Sequence, residues 1–292
     1  MKTTYTYKTV GDLQIHADVH RLPGDDIRPA ILWIHGGALI MGNREGLNPV
    51  QLDKYLYAGY TIISIDYRLA PQAKLPQIVV DLEDAYRWVR TDGPKLFRID
   101  PERIAVVGHS AGGYLALMAG WVLKPHPKAI VSFYGYGDIA GEWYSRPDPF
   151  YNQQPSVPKK EAAEAVGTRV ISDDQGGNRW RFYLYTRQQG LWPLEVTGHD
   201  PDREPRVFDP FCPLRNVSKD YPPTLLLHGD QDTDVPYEQS VLMANELERH
   251  GVQHELISMP GRGHGFDGAM SDPVISATFD RVLEFLETRL KS

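Results

Sequence analysis

Cysteine is almost missing from this chain of 292 residues, where Cys212 is the single instance. That excludes an internal disulfide and fits a reducing compartment, and the thiol itself reads as a small buried hydrophobe. Positive charge is not in excess either: 31 Lys and Arg stand against 38 Asp and Glu, a net charge of −7. No basic face is expected for a phosphate backbone, so nucleic-acid binding is set aside. The opening Met1-Lys2-Thr3-Thr4-Tyr5-Thr6-Tyr7 lacks the apolar run of a leader peptide and alternates like a strand. With 26 glycines and 23 prolines the chain falls short of a low-complexity composition, and no repeat shows at a period of about 20–50 residues. Long apolar runs are confined to Ile104 to Leu123, where only His109 and Ser110 are clearly polar. Its length is near that of a membrane span. Val106-Val107-Gly108 ends a β-type run, however, and Gly112-Gly113 would weaken a continuous helix. A buried strand, a tight turn and a buried helix are expected instead, in a cytoplasmic protein with no membrane insertion.

What is present is ordinary globular material, 41% hydrophobic and 24% charged. At about 150 residues per domain the length suggests two domains, although single α/β domains also reach it. Tyr5 to Val10 and Leu13 to Val19 read as strands joined at Gly11-Asp12, a hairpin signal. Ala30 to Ile34 is a continuous apolar run that suits a strand buried on both faces. Strands and helices then alternate. Helices are expected over Leu52 to Ala58, Ile78 to Val89 and Gly113 to Leu123, and strands over Tyr60 to Ile65, Ile104 to Val107 and Ala129 to Tyr134. The C-terminal third continues with a strand over Thr224 to Leu227, a helix over Glu238 to His250, a strand over Glu255 to Met259 and a helix over Pro273 to Leu290. Such alternation implies a mainly parallel, twisted sheet with helices on both faces. Between Gly137 and Asn216 it fails; prolines and aromatics crowd a connection too long to be an ordinary loop. The division expected is a core of residues 1–136 and 217–292 with an inserted cap over 137–216.

The chemistry centres on Gly108-His109-Ser110-Ala111-Gly112, a match to G-x-S-x-G placed between a strand and a helix. A serine on so tight a turn needs strained dihedrals and small neighbours. Its hydroxyl is a poor nucleophile until a base removes the proton. Of the ten histidines, His264 stands in the glycine-rich loop Pro260 to Phe266, between the last strand and the last helix. His109, beside the serine, is expected to point away from the elbow. An acid must orient the imidazole. Asp230, Asp232 and Asp234 follow the strand at Thr224 to Leu227; Asp230 suits a turn, Asp234 the start of a helix, and spacing does not separate the three. The main-chain amides of Gly36, Gly37 and Ala38, with that of Ala111, are candidate oxyanion donors.

With these motifs in place the chain resembles the α/β-hydrolase superfamily, in its esterase/lipase branch akin to hormone-sensitive-lipase-like carboxylesterases. The motifs are His35-Gly36-Gly37-Ala38, Asp66-Tyr67-Arg68-Leu69-Ala70-Pro71, the elbow, His228-Gly229-Asp230-Gln231-Asp232 and Gly263-His264-Gly265-Phe266. The resemblance implies the α/β-hydrolase fold, the triad Ser110, Asp232 and His264, and selection of Asp232 as the last residue of its motif. Two departures stand out. Ala38 replaces a glycine usual in the family, and only 34 residues precede His35, so the cap is expected to come from the 137–216 insertion. From that insertion Trp143, Tyr144, Trp180, Tyr183 and Tyr185 are candidate substrate-binding residues.

The first functional reading is hydrolysis of small to medium carboxylic esters through an acyl-enzyme. An amidase or arylformamidase on the same fold comes second, and a binding protein on a hydrolase scaffold third, because all three triad positions are filled. No cofactor or metal is expected, since no zinc-ligand spacing, P-loop or G-x-G-x-x-G after a strand occurs. The partner is a small-molecule ester, and a homodimer stays open.

Overall fold

The structure, a computed structural model, describes residues 1–291. β1 (Lys2–Val10) and β2 (Leu13–His20) pair antiparallel, with Val10 opposite Leu13 across the Gly11-Asp12 turn. There follow β3 (Arg28–Ile34), α1 (Pro49–Tyr57), β4 (Thr61–Ile65), α2 (Leu75–Thr91) and α3 (Gly93–Phe97). The centre of the chain is β5 (Ile99–His109), α4 (Ala111–Val122) and β6 (Ala129–Phe133). The run from Ile104 to Leu123 is thus a strand end, a turn and a helix, and among the described residues no helix is long and apolar enough to cross a membrane.

The next strand, β7 (Thr224–Gly229), is reached only after four short α-helices and three 3₁₀ turns. These are α5 (Glu142–Ser145), α6 (Lys159–Val166), α7 (Trp180–Gln189) and α8 (Trp192–Thr197). Chain order then gives α9 (Glu238–Arg249), β8 (His254–Met259) and α10 (Pro273–Leu290). Several ends are capped as their residues require: the Asn48 side chain accepts from the Val50 amide ahead of Pro49, and Asp272 accepts from Val274 ahead of Pro273.

The eight strands run in the order β1-β2-β4-β3-β5-β6-β7-β8, parallel from β4 to β8. Their apolar residues alternate between two cores because successive side chains leave a strand on opposite faces. Ala30, Leu32 and Ile34 of β3 face one core with α2 and α4, whereas Ile31 and Trp33 face the other with α1 and α10. Chain order reverses at β3, which has β4 on one side and β5 on the other. In open α/β sheets the crevice at such a reversal, outside the carboxyl ends of the strands, is where ligands bind. The loops after β3, β5, β7 and β8 all open there.

Candidate active site

Ser110 is the single residue between β5 and α4, with φ 55° and ψ −119°. Such a conformation costs a residue with a Cβ about 1–3 kcal/mol and persists only where its surroundings impose it. Here the Ser110 amide donates to the Phe133 carbonyl at 2.9 Å. Behind it α4 presses on β3 so closely that a Cβ on Gly112 would lie 2.1 Å from the Ile34 carbonyl oxygen. The turn lifts the hydroxyl into a cavity of about 550 Å³ whose wall also contains His264.

His264 hangs from the loop after β8, and its Nδ1 donates to Asp232 Oδ2 at 2.7 Å. Asp232 is anchored in turn. Its Oδ1 accepts from the amides of Asp234 (2.8 Å) and Val235 (3.0 Å), and its Oδ2 lies 3.2 Å from His228 Nε2. That His228 nitrogen also lies 3.0 Å from the Val235 carbonyl, an oxygen that can only accept, so it carries the proton. Burial alone would raise the Asp232 carboxyl; the hydrogen bonds from His228 and His264 outweigh it and hold the group below the ordinary carboxylate range. For His264 burial works downward, yet the Asp232 hydrogen bond and the charges of Asp234, Asp232 and Asp267 raise it above 6.5. Among the described residues no hydrogen bond joins the Ser110 hydroxyl to His264; such contacts commonly tighten only when substrate binds.

Three aspartates were open from spacing, and geometry separates them. Asp230 Oδ1 accepts from the Gly261 amide at 2.7 Å and ties two turns together. Asp234 does not start α9, which begins at Glu238; it faces the cavity and pairs with Arg187 at 2.8 Å. Of the three, Asp232 is the one at His264 Nδ1, at 2.7 Å.

The loop after β3 closes the site on its other side. A Cβ on Gly36 would lie 3.2 Å from that of Ser110, so the amides of Gly37 and Ala38 follow directly beside Ser110. Ala111 opens α4, and its amide has no acceptor within the helix. Ala38 takes φ 54°, a left-handed value that a glycine would adopt without strain. The inserted segment holds it there: Trp192 Nε1 donates to the Ala38 carbonyl at 2.9 Å, and Arg179 Nε to that of Ile40 at 2.5 Å.

Of the aromatic residues expected to line the cavity, Trp180 and Tyr183 do. Trp143, Tyr144 and Tyr185 do not. Trp143 stacks on Tyr144 at 3.7 Å between ring centroids and Tyr144 on Trp192 at 4.1 Å, so these rings pack on one another inside the segment between β6 and β7. Tyr185 packs against the core cluster. The reason is the turn of α7, which sends Tyr183 and Arg187 to one face and Tyr185 to another. His109 also departs from expectation, because it belongs to the cavity wall. Trp33 Nε1 donates to His109 Nδ1 at 3.1 Å, which leaves the His109 proton on Nε2, 3.0 Å from Asp267. Asp267 accepts as well from Gln51 Nε2 at 2.6 Å and from the Tyr134 hydroxyl. Burial raises its carboxyl, but His109 and these donors prevail and bring it down to about 2. His228, Asp267, Tyr134 and Arg187 were not found from sequence; of these only His228 sat inside a motif already noted.

The BD-FAE family model matches residues 18–247. The chain belongs to the BD-FAE family. Curated relatives of this BD-FAE chain include the esterase LipC of Mycobacterium tuberculosis, 29% identical over 85% of this chain and 56% of that protein. The non-reducing polyketide synthase Preu6 of Preussia isomera is 30% identical over 91% of this chain but only 14% of its own length. The chain therefore spans less than two thirds of these relatives. Among solved structures, a Staphylococcus aureus protein with unknown function superposes with a TM-score of 0.81 at 23% identity, covering 99% of both chains. An α/β hydrolase superfamily protein from Enterococcus faecalis gives 0.77 at 22% identity over 99% of both chains. The esterase 2 of Thermogutta terrifontis, phosphorylated by paraoxon, gives 0.69 at 22% identity over 98% of this chain and 94% of that one. The fold is that of the α/β hydrolases. Among the described residues no group of three or more His, Cys, Asp or Glu could hold a metal ion.

Proposed function

We propose that the chain is a serine esterase that cleaves small to medium carboxylic esters through an acyl-enzyme. One observation carries the reading: Ser110, at φ 55°, stands in the wall of the same cavity as His264, whose Nδ1 is 2.7 Å from Asp232. Ser110 Oγ attacks the acyl carbonyl while His264 Nε2 takes its proton. The carbonyl electron pair moves to an oxygen facing the amides of Gly37, Ala38 and Ala111. Collapse breaks the bond to the leaving alcohol, which His264 protonates; water then reverses the sequence and releases the acid. The name of LipC and that of the phosphorylated esterase 2 support an ester as substrate.

An aromatic rim of Trp180 and Tyr183 over a 550 Å³ cavity suits acyl groups of modest size. The test is a panel of p-nitrophenyl esters, from acetate to laurate, against matched anilides and formamides, with fluorophosphonate labelling and mapping of the labelled residue. Ester turnover with the label on Ser110 is expected. Faster turnover of the formamides would turn the reading to an amidase, and no labelling would remove the mechanism.

A further inference from the structure

Asp232 is not the only carboxylate on His264. Across the ring, Asp234 Oδ2 lies 3.4 Å from Nε2, the nitrogen that has to exchange a proton with Ser110. Asp234 is not free to swing away. Its Oδ1 accepts from Arg187 Nη1 at 2.8 Å, from the Tyr151 hydroxyl at 2.9 Å and from the Tyr183 hydroxyl. Its amide donates to Asp232 Oδ1 at 2.8 Å, and its carbonyl accepts from Arg187 Nη1 at 2.9 Å. Arg187 is itself buried in the cap among the rings of Trp143, Tyr144, Tyr151 and Tyr183, and also pairs with Asp148. One oxygen is thus saturated by the cap, and the other is turned toward the base.

Resting on the esterase reading above, we propose that Asp234, locked in place by Arg187, is a positioning residue that steadies protonated His264 from the side opposite Asp232. When Ser110 Oγ bonds to the acyl carbon, its proton passes to Nε2 and the carbonyl π pair to oxygen. The imidazolium so formed sits between two carboxylates. It then gives that proton to the leaving oxygen as the carbon–oxygen bond breaks and the oxyanion pair returns. Asp234 gains and loses nothing. Its charge makes His264 a stronger base and keeps the resting ring protonated to a higher pH. The groups that face the ring are Asp232 and Asp234 after β7, Asp267 after β8 and Tyr134 after β6, whose ring lies 4.5 Å away between centroids. Arg187 stands behind Asp234, His228 beside Asp232 and His109 beside Asp267.

Two substitutions separate this role from simple packing, because they act with opposite sign. Asp234→Asn keeps the shape and removes the charge, so the ring loses its proton more easily. The acid limb of kcat/KM should move down by about one pH unit, the low end for a neighbouring charge because Arg187 offsets part of it. Tyr151→Phe, outside the cavity wall, removes a donor that disperses the Asp234 charge, so the limb should move up by a smaller amount. The experiment measures kcat/KM for p-nitrophenyl acetate from pH 5 to 9 in the full chain and both variants. In parallel, the His264 imidazole is titrated by NMR, a readout that needs no turnover. Shifts of opposite sign in the NMR titration support the proposal. Coincident His264 titrations in the parent and Asp234→Asn, or shifts of the same sign in both variants, overturn it. Fluorophosphonate labelling keeps the two readings apart: without a label on Ser110 the esterase reading fails, while the NMR titration still decides whether Asp234 holds His264.

Discussion

The floor of the cavity and its roof are held together differently. The floor consists of turns at the ends of β3, β5, β7 and β8, and its geometry is set by backbone against backbone. Gly112 lies on the Ile34 carbonyl, Ser110 hangs from the Phe133 carbonyl, and the strands beneath are apolar on both faces. The roof, carried by the segment between β6 and β7, is organised around a buried cation. Arg187 binds Asp148 and Asp234 and is surrounded by four aromatic rings. Close packing of main chain tolerates almost no substitution but is insensitive to pH. Removing a buried ion cluster piece by piece is costly, and its charges reach the His264 ring.

The largest effect expected is on turnover from the floor. Ser110→Ala should lower kcat for p-nitrophenyl butyrate by about 10⁴–10⁶-fold, with a melting temperature close to the parent's. Retained turnover would contradict the assignment of the floor as the reacting surface. A change in the roof should act on stability instead. Arg187→Met leaves two carboxylates without their cation and should cost about 3–5 kcal/mol in urea unfolding. If unfolding were unchanged, the cation would not be the organiser of the segment between β6 and β7.

A third expectation concerns pH. The His264 value is raised, so on the proposed mechanism activity should be lost as pH falls through a point above 6.5. For stability the same group acts in the other sense: its contribution is full below 6.5 and is lost as pH rises through the raised value. Asp267 is depressed to about 2, so its contribution is present above the ordinary carboxylate value of about 3.9 and is lost as pH falls toward 2. Acid unfolding of Asp267→Asn should accordingly be flatter than the parent's between pH 4 and 2, as followed by circular dichroism.

The smallest effect sharpens the contrast within the roof itself. Trp180→Ala should change the ratio of kcat/KM for octanoate over acetate by about tenfold, the low end of the about 1–3 kcal/mol that an apolar pocket gains per methylene. Trp143→Ala, at a ring stacked on Tyr144 away from the cavity, should lower the melting temperature and leave that ratio alone. Equal changes in both variants would mean that the cap reshapes as one body.

How far the chain could be read in advance follows the same division. Every expected strand and helix of the core is present, with ends moved by a few residues: β5 runs from Ile99 to His109 and α4 starts at Ala111. Alternating apolar runs and turn residues are local signals, and a strand buried on both faces admits few other residues. The segment between β6 and β7 offered no such signal. Its aromatic residues were visible, but which of them faced the cavity was not, because α7 sends Tyr183 inward and Tyr185 elsewhere.

From the order of residues alone came the strand–Ser110–helix turn, the loop of His264 and the Gly36-Gly37 turn, since each is a strand end whose neighbours in the chain are also its neighbours in space. Asp232 followed from its motif through the resemblance, and spacing by itself left Asp230 and Asp234 beside it. Only tertiary structure decided that Asp230 ties a turn and that Asp234 faces His264 Nε2 with Arg187, 47 residues away in the chain, at its back. Local chemistry shapes a turn within a few residues. The charges that tune a catalytic imidazole act through a few ångströms of space, whichever parts of the chain the fold brings there.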